Sequence, residues 1–244
     1  MILRSITRHV RDQNWFAVFL DFLIVVVGVF IGIQVANWNA QRLEDQQEAL
    51  LIQRLIVDFE RISVDAQQSL SFHEDRLADF RTLVSALREG ELPDEDRAAV
   101  DRALFLGFSL QSSADRSGTF TELLSSGRAY LLKSQNLLNE MVAYEDFLQR
   151  FVYAQEHLMH LSIENQQPLS NGFQYSIDGV LFTRIENFEQ MERVTYDFES
   201  MVADPAFQEA AEQLMFMHSN ALLWRTRISD RVQRIQQMLS EASL

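Results

Sequence analysis

The sequence predicts an all-α protein in which one N-terminal transmembrane helix continues into an antiparallel, bundle-like soluble domain. Two observations support this fold class. The chain of 244 residues contains three prolines and eight glycines, too few for the many turns of a β-sandwich or barrel. Apolar residues also recur at spacings of three and four over long stretches, which is the period of an amphipathic helix.

Residues 15–38 (WFAVFLDFLIVVVGVFIGIQVANW) predict the transmembrane helix, and the lipid bilayer is thereby the first expected partner. The only charge in this stretch is Asp21, and as a helix it would span about 36 Å. Trp15 and Trp38 lie at its two ends, where indole rings prefer the headgroup region. At the second end, the polar side chains of three further residues are also expected at the membrane interface: Gln34, Asn37 and Asn39.

Two alternatives to a membrane anchor remain open. The apolar stretch could be the buried core helix of a soluble protein, but then its whole circumference from Phe22 to Ile33 would need protein cover. It could also belong to a cleaved signal peptide, because a basic start precedes an apolar run. No Ala-x-Ala cleavage site follows, however, and polar residues occupy the place where cleavage would fall. We therefore favour the anchor.

The distribution of arginine predicts the orientation of the anchor. Arg4, Arg8 and Arg11 precede the helix, whereas only Arg42 and Arg54 lie in the next 20 residues or so after it. Basic residues are enriched on the cytoplasmic side of membrane helices. We therefore expect residues 1–14 to be a cytoplasmic segment of an inner-membrane protein and residues 39–244 to form its periplasmic helical domain.

Two separated stretches carry a family resemblance. Residues 21–28 (DFLIVVVG) and 34–39 (QVANWN) resemble an uncharacterised family of bacterial single-pass membrane proteins. In that family an acidic residue opens the apolar run, a glycine follows seven positions later, and Gln-x-x-Asn-Trp-Asn closes it. Here aspartate stands where many relatives have glutamate. Residues 119–127 (TFTELLSSG), 131–132 and 138–144 are similar to the same family. The resemblance implies a single-pass topology with one soluble domain, and no activity.

A row of small residues predicts a packing surface on the anchor. Asp21, Gly28, Gly32 and Ala36 fall on one face of the helix, which gives a small-x-x-x-small surface with an acid at one end. We expect this face to pack against a copy of the chain or another membrane subunit, with Asp21 hydrogen-bonded across the contact. In the alternative, Asp21 snorkels to the interface and the glycines have no role.

The apolar stripe continues beyond the anchor. It runs from Leu43 through Phe59 to Leu87 and ends at Gly90, a natural C-terminal position for a helix. The sequence therefore predicts that the transmembrane helix runs directly into a first long helix. An interruption near residues 69–71 is left open.

A second and a third helix are predicted from their termini. Asp94 is expected to cap a helix that ends at about Phe108, followed by a polar loop at residues 109–117. A short helix at residues 119–126 should then stop at Gly127.

A long fourth helix is predicted for residues 135–164, with Ser134 as its N-cap and its end before Pro168. Residues 170–191 carry no clear period. Short strand-like pieces within residues 175–182 are therefore left open.

Asp204 and Pro205 predict the start of the last helix, because Asp is a preferred N-cap and Pro is favoured at the first helical position. This helix should end at about Ala242. An antiparallel bundle best buries the apolar faces of three long amphipathic helices and several shorter ones. Residues 39–244 are therefore expected to form one domain.

Charge and cysteine content exclude several classes of function. The formal net charge is −14, and so acidic a protein repels nucleic acid, which is therefore not an expected partner. The absence of cysteine removes disulfides, thiolate metal sites and cysteine nucleophiles. With no Walker loop or dinucleotide fingerprint, we expect no cofactor, no metal and no catalytic residue, and hence no enzyme.

Two groups of residues suggest a possible ligand site, and each also has a structural interpretation. His157 and His160 lie three apart on a helix, a spacing that suits a metal, but histidines at helix contacts are far commoner. His73 and His218 fall near apolar stripes and are expected in the core or at its boundary. A stripe of three arginines in the last helix predicts either an anion site or pairing with carboxylates such as Asp58 or Glu60. These arginines are Arg227, Arg231 and Arg234.

The sequence favours an interaction protein: a membrane-anchored subunit that forms homo-oligomers or joins a larger membrane complex. The alternative is an extracytoplasmic small-molecule sensor that signals through a partner, since helical bundles bind ligands between their helices. An enzyme ranks last because the chain offers no catalytic constellation.

Overall fold

The computed structural model describes residues 15–111, 113–176 and 194–243, with only the backbone described at Trp15, Ala17 and Val18. The described part is mainly helical, which confirms the all-α prediction. Three expectations lie outside the described residues: the cytoplasmic segment 1–14, the position of the Trp15 indole, and strand-like pieces between residues 177 and 182.

The chain divides into two compact units, Met1–Leu51 and Ile52–Leu244. Helix α1, Trp15–Glu89, begins in the first unit, whose described part is entirely helical. From Phe19 to Gln47 every side chain is exposed, including the large apolar ones. The helix of the first unit is thus without protein cover from Phe19 to Gln47, and it is apolar over most of residues 19–36.

The second unit begins with the part of α1 that has a buried stripe. Leu55, Phe59, Ile62 and Ala66 repeat at spacings of three and four and are fully buried. The helix is continuous through residues 69–71, so the interruption left open there does not occur. It ends where Gly90 adopts a positive φ of 75°, a conformation that glycine accepts without strain.

Two short helices and a polar loop follow. A 3-10 turn at Asp94–Asp96 leads into α2, Arg97–Leu106, and α3 spans Gly118–Ser125. Asp94 does not act as the cap predicted for it, because its carboxylate contacts Arg97 and no backbone amide of the helix start. The helix also ends two residues before Phe108. The end of α3 is as predicted, since Gly127 follows it with a φ of 69°.

Helix α4 spans Gln135–Ser170 and begins as predicted, with the Ser134 hydroxyl accepting a hydrogen bond from the amide of Leu137 at 3.3 Å. Its predicted end before Pro168 is wrong. The ring of Pro168 removes one backbone donor in the last turn. Burial of Leu169, which is fully enclosed in the core, compensates for this loss and keeps the turn helical.

Two three-residue strands and two helices complete the described chain. Strands β1, Phe173–Tyr175, and β2, Val194–Tyr196, pair antiparallel. Helix α5 spans Phe198–Ala203, and α6 spans Pro205–Ala242. The start of α6 is as predicted, because the Asp204 carboxylate accepts a hydrogen bond from the amide of Ala206 at 2.9 Å.

Long-range contacts give the directions of the helices within the second unit. Helices α4 and α6 run antiparallel, since Phe151 contacts Trp224 while Glu140, nearer the start of α4, reaches Arg231 and Arg234. Helices α1 and α6 also run antiparallel. Their residues pair in opposite order along the sequence: Phe59 with Gln236, His73 with His218 and Arg88 with Glu212.

Candidate functional site

The predicted packing face lies uncovered on α1. At 100° per residue, Asp21, Gly28, Gly32 and Ala36 fall within an arc of roughly 80° over about 22 Å of helix. A Cβ atom added at Gly28 or Gly32 would meet nothing within 4 Å. All four residues are exposed in the described structure. The four residues therefore form one exposed face of α1.

The predicted interface residues at the end of the anchor are also exposed. The Trp38 side chain retains 68% of its surface. Gln34, Asn37 and Asn39 lie within the same helix and are exposed as well. An indole beside three amides is an arrangement suited to the headgroup region of a bilayer.

In the second unit, a buried ion pair fixes the loop between α2 and α3. Arg225 of α6 is 2% exposed, and its Nη1 lies 2.8 Å from Oδ2 of Asp115 in the loop. The same guanidinium donates to the Gln111 carbonyl at 3.2 Å and stacks over the Phe151 ring, 4.7 Å from its centroid. These contacts compensate for the cost of removing both charges from water.

Other buried side chains satisfy the carbonyl groups of this loop. Tyr144 donates to the Asp115 carbonyl at 2.7 Å, and Ser162 donates to the Phe108 carbonyl at 2.8 Å. Burial, and to a lesser degree the charge of Asp115, raise the pKa of Tyr144, so the phenol keeps its proton for this bond. The Phe108, Gln111 and Asp115 carbonyls each accept a hydrogen bond from α4 or α6, so these parts of the loop are tied to the two long helices.

A buried pair of histidines, His73 of α1 and His218 of α6, lies in the core. Their Nδ1 atoms lie 3.1 Å apart, and Nε2 of His218 lies 3.0 Å from the Gly107 carbonyl oxygen. Phe80 stacks on the His218 ring, with centroids 5.5 Å apart. Burial lowers the pKa of His73 to about 3 and that of His218 to about 4, so both rings are neutral near pH 7.

These distances fix the tautomers of the two neutral rings. A carbonyl oxygen only accepts, so Nε2 of His218 carries the proton and its Nδ1 is an acceptor. His73 must then donate from Nδ1. Two consecutive hydrogen bonds thus run from His73 through His218 to the Gly107 carbonyl oxygen. Such an arrangement joins helices and is a structural contact.

A second ion cluster centres on the buried Asp79 of α1, six residues after His73. Asp79 pairs with Arg76 at 2.6 Å and with Arg102 of α2 at 2.7 Å. The Nε atom of Arg76 is buried and has no hydrogen-bond partner in the described structure. Arg76 and Asp79 both lie on α1, so it is the Arg102–Asp79 pair that holds α2 against α1.

Asp58 caps the start of α3 from a distance in sequence. Its Oδ2 accepts from the Ser117 hydroxyl at 2.7 Å and from the Thr119 amide at 2.9 Å. Burial acts to raise the pKa of Asp58, but these hydrogen bonds and the charge of Arg61 outweigh burial, and the pKa lies below its usual value. The carboxylate also complements the positive end of the α3 dipole.

The histidine pair that suggested a metal lies on the surface of α4. His157 and His160 are exposed on α4 and lie neither in the core nor at a helix contact. Within the described ranges no three His, Asp or Glu side chains converge on one point. The expectation that His73 and His218 are core residues is confirmed.

The arginine stripe of α6 has other partners than the predicted ones. Arg231 and Arg234 both approach Glu140 of α4, at 3.3 and 3.4 Å. Asp58 instead binds the start of α3, and the prediction that it pairs with this stripe is wrong. Arg227 has no carboxylate partner among the described residues.

Sequence reasoning did not single out Arg225 or Asp79, although a signal exists for each. Arg225 lies between Ala221 and Ile228 at spacings of four and three, so it occupies the apolar stripe of α6. A charged residue at such a position requires a buried partner. Asp79 likewise lies four residues before Leu83 and seven before Ala86, on the same face of α1.

Comparison with known protein families, curated proteins and solved structures gives no match. The family resemblance of the anchor and of residues 119–144 therefore stays a prediction.

Proposed function

We propose that this chain is a single-pass inner-membrane protein whose anchor helix associates with another membrane helix, so that it acts as an interaction subunit of a homo-oligomer or a larger complex. The observation that carries the proposal is the uncovered apolar part of α1. This helix is long and apolar enough to cross a membrane, and none of its most apolar stretch of 18 residues is buried.

Exposure supports lipid as the solvent of this helix. The side chains from Phe19 to Val35 include many large apolar groups that are 44–65% exposed, among them Phe22, Val25 and Phe30. Monomeric soluble proteins rarely expose contiguous apolar surface of this extent. A bilayer removes the whole circumference from water.

The Asp21–Ala36 face supports a second helix as the partner. In lipid, helices associate through close backbone approach at small residues, because lipid tails already solvate apolar side chains. Gly28 and Gly32 offer that approach. Asp21 is expensive to leave alone in hydrocarbon, and a partner helix could hydrogen-bond it.

The absence of cysteine makes the association testable in native membranes. Gly28→Cys places a single thiol on the proposed face, and Phe30→Cys places one on the opposite side of the helix. With a mild oxidant, we expect a disulfide-linked dimer for Gly28→Cys and none for Phe30→Cys. A photoreactive residue at each position extends the test to other subunits. Equal crosslinking from both positions, or no protein adduct from either, would overturn the proposal.

Single cysteines also test the orientation. A membrane-impermeant maleimide applied to spheroplasts should label Ser240→Cys, on the exposed end of α6, and should leave Ser5→Cys unlabelled until lysis. The reverse pattern would place the helical domain in the cytoplasm.

A further inference from the structure

A groove on the second unit concentrates positive charge. It lies between α4 and α6 and has a volume of about 550 Å³. Two aromatic rings and four arginines line it: Phe147, Arg150, Trp224, Arg227, Arg231 and Arg234. We call these six residues the arginine groove. The chain as a whole carries a formal charge of −14, so a groove with four guanidiniums is a positive region on an otherwise acidic protein.

The carboxylates near the groove do not neutralise it. Glu140 approaches two of the arginines, at 3.3 and 3.4 Å, and Asp230 also lines the groove. Four cations against two anions leave two positive charges. Arg150 and Arg227 have no carboxylate partner in the part of the chain that the structure describes.

The two rings hold the arginines over the groove. The guanidinium carbons of Arg231 and Arg150 lie 5.0 and 5.9 Å from the Phe147 centroid, and that of Arg227 lies 6.0 Å from the Trp224 centroid. Phe147 and Trp224 contact each other at 5.3 Å. An arginine that lies over a ring keeps its N–H groups free for an anion, and its side chain is already partly ordered.

We propose that the arginine groove binds a ligand that carries a phosphate group. Guanidinium matches phosphate in geometry, since its N–H groups donate two parallel hydrogen bonds to two oxygens. The volume is in the range of small-molecule sites, so it accommodates more than a bare ion. The half-buried Trp224 offers an apolar surface for the remainder of the ligand. A lipid headgroup and a soluble phosphorylated molecule share this chemistry.

The fluorescence of Trp224 reports binding in the arginine groove. The chain has three tryptophans, so Trp15→Phe with Trp38→Phe leaves the groove indole as the only one. The purified full chain in phosphatidylcholine nanodiscs is titrated with inorganic pyrophosphate at low ionic strength, and Trp224 emission is recorded. We expect a saturable change that weakens as salt is added, because the attraction is electrostatic.

Charge-matched variants decide where the anion binds. Arg150→Gln with Arg227→Gln removes two charges from the groove, and Arg54→Gln with Arg88→Gln removes two exposed arginines elsewhere. Calorimetry with pyrophosphate should show at least a tenfold rise in Kd for the groove variant and less than a twofold rise for the control. Circular dichroism melts verify that both variants fold.

A second arm distinguishes the two sources of phosphate. Nanodiscs with phosphatidylglycerol replace those of pure phosphatidylcholine, without pyrophosphate. A change in Trp224 emission that the groove variant abolishes assigns a lipid headgroup, and a response to pyrophosphate alone assigns a soluble ligand. The proposal is overturned if neither probe gives saturable binding, or if the groove variant and the control lose affinity equally.

Discussion

The Nδ1 atoms of His73 and His218 lie 3.1 Å apart in the core of the second unit, a contact that cannot form when both rings are protonated, because one Nδ1 must accept. Burial is the main reason why both pKa values are low, and the positive charges of Arg76 and Arg225 lower that of His73 further. The pair joins α1 to α6 and reaches the backbone at Gly107. Its protonation state therefore affects the packing of three elements.

We predict that the protein loses stability between pH 6.5 and pH 4. In the unfolded chain both histidines bind a proton near pH 6.5, whereas in the folded chain they do so only near pH 4 and pH 3. The unfolded state then binds more protons, so the free energy of unfolding falls as the pH falls through this window. Each histidine contributes at most about 1.4 kcal/mol per pH unit.

The measurement is thermal unfolding of the full chain in a neutral detergent from pH 7.5 to pH 4.5. His73→Gln with His218→Gln should flatten the dependence of Tm on pH, whatever its effect on Tm at pH 7.5. His157→Gln, an exposed control on α4, should leave the slope unchanged. An unchanged slope in the double variant would contradict the prediction.

We predict that Arg225→Met is among the most destabilising single changes. It leaves the Asp115 carboxylate, whose side chain is 12% exposed, without its cation. Loss of one partner of a buried pair costs about 3–5 kcal/mol, measurable by urea unfolding. Arg54→Met breaks an exposed pair with Glu122, which water screens, and should leave the free energy of unfolding nearly unchanged. If both variants lost the same stability, the pair would not be the cause. Arg225→Met with Asp115→Leu should recover part of the loss.

We predict that Gly107→Ala destabilises the protein because the position has no room for a methyl group. A Cβ atom there would lie 2.2 Å from the Ala103 carbonyl oxygen and 2.4 Å from the Phe80 ring. Overpacking of this kind costs typically about 1–3 kcal/mol. Gly118→Ala is the control, since a Cβ atom there meets nothing within 4 Å. Chemical unfolding of both variants should show a loss only at Gly107.

Local signals account for the parts of the fold that were predicted. Asp204 with Pro205, Ser134 and the two glycines at positions 90 and 127 act on backbone groups within a few residues, so their effect can be read from neighbouring sequence. The α6 start and the ends of α1 and α3 follow from them. The continuous apolar run of the anchor is likewise a local property.

The parts that were not predicted depend on contacts between distant residues. The loop between α2 and α3 is held by Arg225, which is 110 residues away from Asp115, and a single sequence does not encode that pairing. At Pro168 a local rule was overridden, because Leu169 is buried. The partner of Asp58 at the start of α3 is likewise not visible in its sequence environment, because Ser117 lies 59 residues further along the chain.

Asp58→Asn tests the last of these contacts. The carboxylate accepts two hydrogen bonds at the start of α3, from the Ser117 hydroxyl and the Thr119 amide, and an amide oxygen accepts more weakly. We expect a loss of about 1–3 kcal/mol at pH 7, measured by urea unfolding. Asp94→Asn is the control, because the Asp94 side chain is 96% exposed and caps no helix.

The pH dependence of this difference identifies the charge as its source. The pKa of Asp58 in the folded protein is lower than usual, so the carboxylate stabilises the fold above the unfolded pKa of about 3.9, and this stabilisation disappears as the pH falls through the folded value. The gap in stability between the parent protein and Asp58→Asn should therefore narrow below about pH 4. A gap that stayed constant down to pH 3 would mean that the shape of the side chain, and not its charge, holds α3 in place.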